Sequence, residues 1–396
     1  MSRLLPADFA LLQVTPRLDA GGVEQTTLDV SDAVSRLGLR SLVASEGGRQ
    51  EARLAHGGGE LVRLPMDAKN PVSLLLNAGR LGAVVKREGV KLIHARSRAP
   101  AWSALWAAQA TGVPFVTTYH GVYNARSKLK RAYNSVMAKG DIVIANSQYT
   151  RDHLLTEHSV DPDKVIAIPR GVDLARFDPK AIPAAKVASL RQAWGLDPAD
   201  KRPVVLLAGR LTRWKGQALL IAAATMAKAA SGKASFILVL AGDDQGRSDY
   251  SAELHAAIAA GGLQNDVRIV GHCDDMPTAY LACDLAAAPS LEPEAFGRTA
   301  VEPQAMGRPV LAADHGAARE TVVDGETGWR VAPGDAAAWA AALTNAAALP
   351  KARRLQMGSA GQQRVRRLYS LDAMTKATLE VYARALALPP RKDRRA

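Results

Sequence analysis

The stretch "PVVLLAGRLTRWKG", residues 203–216, opens on a run of apolar residues, turns at Gly209, and carries Arg210 and Lys215 before Gly216 introduces a helical pattern. A run that is apolar throughout, rather than alternating, reads as a parallel strand covered on both faces. Outward from it the same rhythm recurs. "SFILVLAG" (235–242), "VRIVGH" (267–272), "LAAAPS" (285–290) and "PVLAADHG" (309–316) follow, each separated by helical spacing. Upstream lies an equivalent series: "FALLQVTP" (9–16), "RSLVASE" (40–46), "ELVRLPM" (60–66), "KLIHARS" (91–97), "PFVTTYH" (114–120) and "DIVIANS" (141–147). Between the two, "IPRGVDLARFDPKAIPAAK" (168–186) is rich in proline and charge and reads as a linker. The pattern predicts an α/β protein of two doubly wound parallel-sheet domains, Rossmann-like in rhythm, followed after about residue 335 by helices alone and a basic tail, "PPRKDRRA".

Composition sets the outer bounds. The chain has 396 residues, enough for two or three domains, with 48% hydrophobic and 22% charged residues. Two cysteines, Cys273 and Cys283, form no CxxC motif and argue against both a zinc site and a disulfide framework, as suits a reducing cytosol. The N-terminus is a poor signal peptide and no apolar run approaches ~20 residues, so the expectation is a cytoplasmic protein, at most peripheral on the inner face of the cytoplasmic membrane. Net charge is +13 and unevenly spread: residues 80–140 hold eleven Lys or Arg against one acid, Glu88. That excess predicts an anionic partner, either a phosphorylated substrate or an anionic lipid surface. Aromatic-rich RNA-binding strands and zinc-finger spacings are missing, so nucleic acid is not expected as a partner. Neither half has a GxGxxG turn after its first strand, which argues against a dinucleotide-dependent oxidoreductase.

In open parallel sheets ligands bind beyond the carboxyl ends of the strands, and two such sheets predict a cleft between domains. After the first strand, "RLDAGGVEQ" (17–25) places Gly21 and Gly22 directly before a helix, where free N–H groups suit an anion. In "GRLTRWKG" (209–216), Arg210 and Lys215 beside a helix start suit a diphosphate, the arginine by a bidentate grip and the lysine as a point charge. "EAFGRTAVE" (294–302) sets Glu294 in a loop and Glu302 in the following helix. Two carboxylates so placed face different parts of one extended ligand, and vicinal sugar hydroxyls are their natural partners. Gly297 keeps side-chain bulk away from the amides of Phe296 and Gly297. The paired acids in "GDDQ" (242–245) and "CDDM" (273–276) carry no tie to a metal.

Together these loops resemble the retaining GT-B glycosyltransferases, specifically glycosyltransferase family 4, the "group 1" glycosyl transferases. The resemblance covers nearly the whole chain and rests on the E-x7-E element at Glu294 and Glu302, "GRLTRWKG", the "GGVE" loop at 21–24, and the run from Cys283 to Trp329. It implies an N-terminal acceptor domain (1–175), a C-terminal nucleotide-sugar domain (176–365), and a helix over 366–396 packing back on the first, with the basic tail beyond. It implies that Arg210 and Lys215 hold the donor diphosphate with help from the Gly21–Gly22 amides. Glu302 would bind ribose hydroxyls, and Glu294 hydroxyls of the transferred sugar beside the Phe296 and Gly297 amides. His120, in "TTYHG", matches the family's active-site histidine near the anomeric carbon. Where the family often has Asn-Gly-Val-Asp this chain has "RGVD" (170–173), and no role passes to Arg170.

The activity so implied is metal-independent, retaining transfer of a hexose from a UDP- or GDP-linked donor, with no separate cofactor. The acceptor expected is lipid-linked, lipopolysaccharide or another cell-envelope glycan, met through the basic face of residues 80–140. Alternatives are a nucleotide-sugar epimerase on the same fold, or transfer to a soluble small-molecule acceptor.

Overall fold

The computed structural model describes residues 4–19, 21–123 and 127–389. Arg126, part of the basic stretch, and all but the first residue of the basic tail lie outside them. The chain divides into two compact units, residues 1–171 with 371–396, and residues 172–370.

The first unit alternates strand and helix: β1 (Ala10–Val14), α1 (Gly22–Arg36), β2 (Arg40–Ser45), α2 (Glu51–His56), β3 (Glu60–Arg63), α3 (Pro71–Arg87), β4 (Leu92–Ala95), α4 (Arg98–Thr111), β5 (Phe115–Tyr119), α5 (Lys128–Asn134), β6 (Ile142–Ala145), α6 (Gln148–Glu157) and β7 (Val165–Ala167). The sheet runs β3-β2-β1-β4-β5-β6-β7 with every pairing parallel. Strand order reverses between β1 and β4, the position at which a doubly wound sheet opens a crevice. Caps follow local chemistry: Asn70 Oδ1 accepts from Ser73 N at the start of α3, and Ser147 Oγ accepts from Thr150 N at 3.0 Å at the start of α6.

The second unit comprises α7 (Ala184–Ala193), β8 (Val204–Ala208), α8 (Gln217–Ser231), β9 (Ile237–Ala241), α9 (Ser248–Ala260), β10 (Val267–Gly271), α10 (Met276–Leu281), β11 (Leu285–Ala288), α11 (Arg298–Ala305), β12 (Val310–Ala313), α12 (Ala318–Thr321), β13 (Gly328–Val331), α13 (Ala336–Ala348) and α14 (Lys351–Leu368). Its six parallel strands run β10-β9-β8-β11-β12-β13, reversing between β8 and β11.

The last helix, α15 (Leu371–Leu386), belongs to the first unit. Its Met374, Tyr382 and Ala385 pack with Leu11, Leu92, Val116 and Ile144 on one face of the seven-stranded sheet. The other face is covered by α3 and α4. Tyr382 also hydrogen-bonds His94 Nδ1 at 2.7 Å, which satisfies a polar group buried in β4. The expected linker is partly structured: Val172 N donates to Tyr369 O at 2.7 Å, and α7 begins at Ala184. Two strands escape the sequence pattern, β7 and β13, of three and four residues. Among the described residues no helix is long and apolar enough to cross a membrane.

Candidate active site

In the second unit the site is built on the adjacent carboxyl ends of β8 and β11. After β8 the chain makes one tight turn over Arg213–Lys215 and reaches Gly216, at φ +80°, before α8. A Cβ at Gly216 would lie 2.4 Å from Pro289 O, so both the left-handed backbone and the close approach of the next loop require glycine. That approach delivers Lys215 Nζ to Glu294 Oε1 at 2.7 Å, and Ser290 Oγ donates to the same oxygen at 2.5 Å. The two side chains are 12% and 20% exposed, so the pair is largely desolvated. Lys215 also lies over the Trp214 ring, 4.3 Å from its centroid. An ammonium has three donors, and the contact with Glu294 uses one of them.

Arg210 points to solvent, with its backbone carbonyl held by Gln217 Nε2 at 2.9 Å, and forms no ion pair with a described residue. The structure therefore joins Lys215 and Glu294 and leaves Arg210 at the rim of the same loop.

Gly297 adopts φ +77° and starts α11, where the expected helix begins. A Cβ there would meet nothing closer than 3.8 Å, so conformation rather than crowding selects the glycine. Phe296 is buried against Tyr369, edge on at 5.8 Å, and its side chain serves the core. Glu302 is 6% exposed and already engaged: Arg298 Nε and Nη2 donate to Oε1 at 2.8 and 2.6 Å, and the Tyr280 hydroxyl donates to Oε2 at 3.3 Å. Burial and the neighbouring carboxylate push the Tyr280 phenol well above its ordinary value, so it stays a donor. Glu302 lies just over one turn into α11, paired with Arg298 and Tyr280 rather than with Lys215 or Glu294.

Two residues of this site were missed in the sequence, Ser290 and His315, although both close strand-ending runs quoted above. His315 Nε2 donates to Ser290 O at 2.9 Å, and Ala317 N donates to Glu294 O at 3.0 Å. The loop after β12 thus braces the loop after β11. A cavity of about 20 Å³, the size of one hydroxyl or water, lies among Ser290, Glu294, Gly297 and His315.

In the first unit, His120 follows β5. Its carbonyl accepts from Asn146 Nδ2 at 2.9 Å and its Nδ1 lies 3.3 Å from Arg170 Nη2. Burial, with Arg170 and then Arg96 nearby, holds the imidazole well below its ordinary pKa and therefore neutral. His120 Nε2 is buried with no partner among the described residues. The Arg170 guanidinium rests on Gly22: a Cβ there would fall 1.8 Å from Nη1. Arg170, given no role by the sequence reading, thus touches both the glycine loop and the histidine. Arg96 is fully buried, with Nε and Nη2 donating to Gln13 Oε1 at 3.0 and 2.6 Å.

The basic stretch 80–140 is not one face. Arg96 is internal, Arg98 folds over the Tyr123 ring, and Arg87, Lys91 and Arg131 pair with Glu88, Asp8 and Glu157. The paired acids have local work. Asp243 and Asp244 accept from the amides of Gln245 and Gly246, while Asp275 caps α10 and pairs with Lys186. Among the described residues no group of three or more His, Cys, Asp or Glu is placed to hold a metal ion. A groove of about 920 Å³ opens at the amino end of β6, the opposite end of the sheet from His120.

Comparison with known proteins accords with this arrangement. The family described as Glycosyltransferase Family 4 matches residues 20–176, and Glycosyl transferases group 1 matches residues 191–364. A glycosyltransferase from Rickettsia africae has a solved structure 33% identical, with TM-score 0.88, over 96% of this chain and 100% of that one. HepE of Anabaena, solved in complex with UDP-glucose, is 25% identical with TM-score 0.79 over 95% of this chain and 99% of its own. The D-inositol 3-phosphate glycosyltransferase of Salinispora tropica is 33% identical over 70% of this chain, a match that spans 60% of that relative's length. Its two parallel-sheet units are those of the GT-B fold, and the chain belongs to the group 1 glycosyl transferases of glycosyltransferase family 4.

Proposed function

We propose that the protein is a retaining hexosyltransferase that moves a sugar from a nucleoside diphosphate to a hydroxyl acceptor. The observation that carries this reading is the desolvated Lys215–Glu294 pair where β8 and β11 end side by side. As the glycosidic bond to the diphosphate breaks, negative charge gathers on the leaving phosphates and the sugar becomes oxocarbenium-like. Lys215 and Arg210 meet that charge without a metal, and Glu294 accepts from hydroxyls of the sugar. Fixed donors aimed at developing charge are typically the largest catalytic contribution. The amides of Phe296 and Gly297 serve the donor, with Glu302 directed to the nucleotide ribose once Arg298 releases Glu302 Oε1 to accept from a ribose hydroxyl. The UDP-glucose complex of HepE favours a uridine donor over a guanosine one.

A panel of nucleoside diphosphates and nucleotide sugars in a thermal-shift assay tests the donor, since ligand at 100 times its Kd adds about 2.7 kcal/mol to native stability. Release of nucleoside diphosphate that depends on an acceptor separates transfer from epimerisation. No stabilisation by any member of the panel would overturn the reading.

For the acceptor, we favour a lipid-linked or envelope glycan met at the inner face of the cytoplasmic membrane. Helix α3 turns Val72, Leu75 and Leu76 outward, 70%, 66% and 56% exposed, on the face that also carries Arg80 and Lys86. Apolar side chains flanked by cations suit an anionic lipid surface. A soluble phosphorylated acceptor is the second reading, favoured by the name of the Salinispora relative. Co-sedimentation with anionic liposomes at ~0.15 M salt, where surface attraction is already screened beyond ~8 Å, decides between them. Binding that is lost in Leu75→Asp/Leu76→Asp supports the membrane; a wild-type chain left in the supernatant supports the soluble acceptor.

A further inference from the structure

We infer that Arg170 is a positioning residue for His120: resting on Gly22, its guanidinium donates to Nδ1 and presents the imidazole as the Nε2–H tautomer, a hydrogen-bond donor to a ligand oxygen. The argument starts from what each group is able to do. A guanidinium carries only N–H donors and accepts nothing, so at 3.3 Å from Nδ1 it requires a lone pair there. The proton of a neutral imidazole then sits on Nε2. That nitrogen is buried and has no partner among the described residues, which is the state of a donor awaiting an acceptor atom. Three residues from separate elements hold the arrangement. Asn146, beyond β6, fixes the His120 carbonyl, Gly22 at the start of α1 supports the guanidinium, and Arg170 follows β7. Around the ring lies a cavity of about 20 Å³ lined by Thr26, Arg96, Thr118, Asn146 and Arg170, with room for one atom of a ligand.

Among the described residues, the titratable and charged groups facing His120 are Arg170 and Arg96, with His94 and Tyr123 beside them, and no carboxylate is among them. A positive charge on the imidazole would face two guanidiniums, which agrees with its depressed pKa. His120 therefore cannot act as a base in this state: one nitrogen is spent on Arg170 and the other already bears its proton. It offers a neutral donor to a substrate oxygen, whether hydroxyl, ring or phosphoryl. The use of that donor in transfer rests on the function proposed above; the tautomer does not.

The test is spectroscopic first. Ring-nitrogen resonances of histidine-labelled protein, assigned through His120→Gln, are followed without substrate from pH 8 to 5 in the wild type and in Arg170→Met. The wild-type His120 should show protonated Nε2 and bare Nδ1 throughout. Arg170→Met should give mixed tautomers and a titration moved up towards the ordinary value of ~6.5. Protonated Nδ1 in the wild type overturns the inference, even if the variant fails to fold. A variant whose resonances match the wild type overturns it too. In the transfer assay the acid limb of kcat for Arg170→Met should move up by at least one pH unit, and Arg170→Lys should recover part of the shift. A spectrum that moves while the pH profile stays put would deny Arg170 its part in the reaction. Absent transfer in the wild type would sink the proposed function and leave the tautomer standing.

Discussion

Removing the ammonium from the Lys215–Glu294 pair, as in Lys215→Met, should damage stability and turnover by separable amounts. The side chains are 12% and 20% exposed, between the surface case and full burial. Exposed pairs are worth about 0–1 kcal/mol, and truncating one partner of a fully buried pair costs about 3–5 kcal/mol. Glu294 keeps the Ser290 hydroxyl, so we place the loss near 2 kcal/mol. For a unit of this size that is a fall in Tm of roughly 4–8 °C. Turnover should fall at least ~100-fold, the effect of losing one preorganised donor. The double variant Lys215→Met/Glu294→Gln separates the two effects, because a neutral amide no longer needs a cation. Its Tm should return to within about 2 °C of wild type, a difference of about 0.5 kcal/mol, while turnover stays low. Calorimetry reads the first quantity and nucleoside diphosphate release the second. Near-normal turnover in either variant would remove Lys215 from the donor site, and a double variant as unstable as the single would refute the burial argument.

Glu302→Ala strips Arg298 and the Tyr280 hydroxyl of their common partner and should lower turnover at least ~100-fold with far-ultraviolet circular dichroism unchanged. Acid should destabilise the protein through its buried histidines. His94, bonded on both ring nitrogens at 2.7 Å, is held well below its ordinary pKa by burial, so below pH ~6.5 the unfolded chain takes up a proton that the folded chain refuses. Stability should fall by up to about 1.4 kcal/mol per pH unit per histidine as pH drops from 6.5, and His94→Gln should give a shallower slope in urea unfolding between pH 7 and 5. Gly242→Ala would place a Cβ 1.9 Å from Gly209 O, against backbone that cannot swing aside, and should cost about 1–3 kcal/mol by the shift in urea midpoint.

The architecture was legible because parallel strands leave continuous apolar runs, and eleven such runs coincide with strands of the two sheets. Val165–Ala167 escaped because three residues after an Asp-Pro-Asp turn make no recognisable run, and Gly328–Val331 because Trp329 and Arg330 interrupt it. The loops of the site were legible for the same reason, since each follows a quoted strand. Pairings within it were not. Lys215 and Glu294 lie 79 residues apart, and His120 and Arg170 fifty, and only the order of strands brings them together. Charge counting misled more directly. It treated Arg96 as part of a surface, whereas β4 carries it inward to Gln13, and it could not see the carboxylates that neutralise Arg87, Lys91 and Arg131.

The allotment of α15 to the first unit bears on how the protein is made. Residues 172–370 are contiguous, so every contact within that unit is available once residue 370 has left the ribosome. The N-terminal sheet, although translated first, lacks part of its cover until α15 follows: Leu11, Leu92, Val116 and Ile144 have Val30 and Val34 of α1 against them, but Met374, Tyr382 and Ala385 come later, and so does the tyrosine partner of His94. For most of synthesis the nascent chain therefore carries an apolar face that is only partly covered. A ribosome stalled short of residue 371 would present chaperones with one unit whose contacts are all available and one still lacking the helix that completes its core.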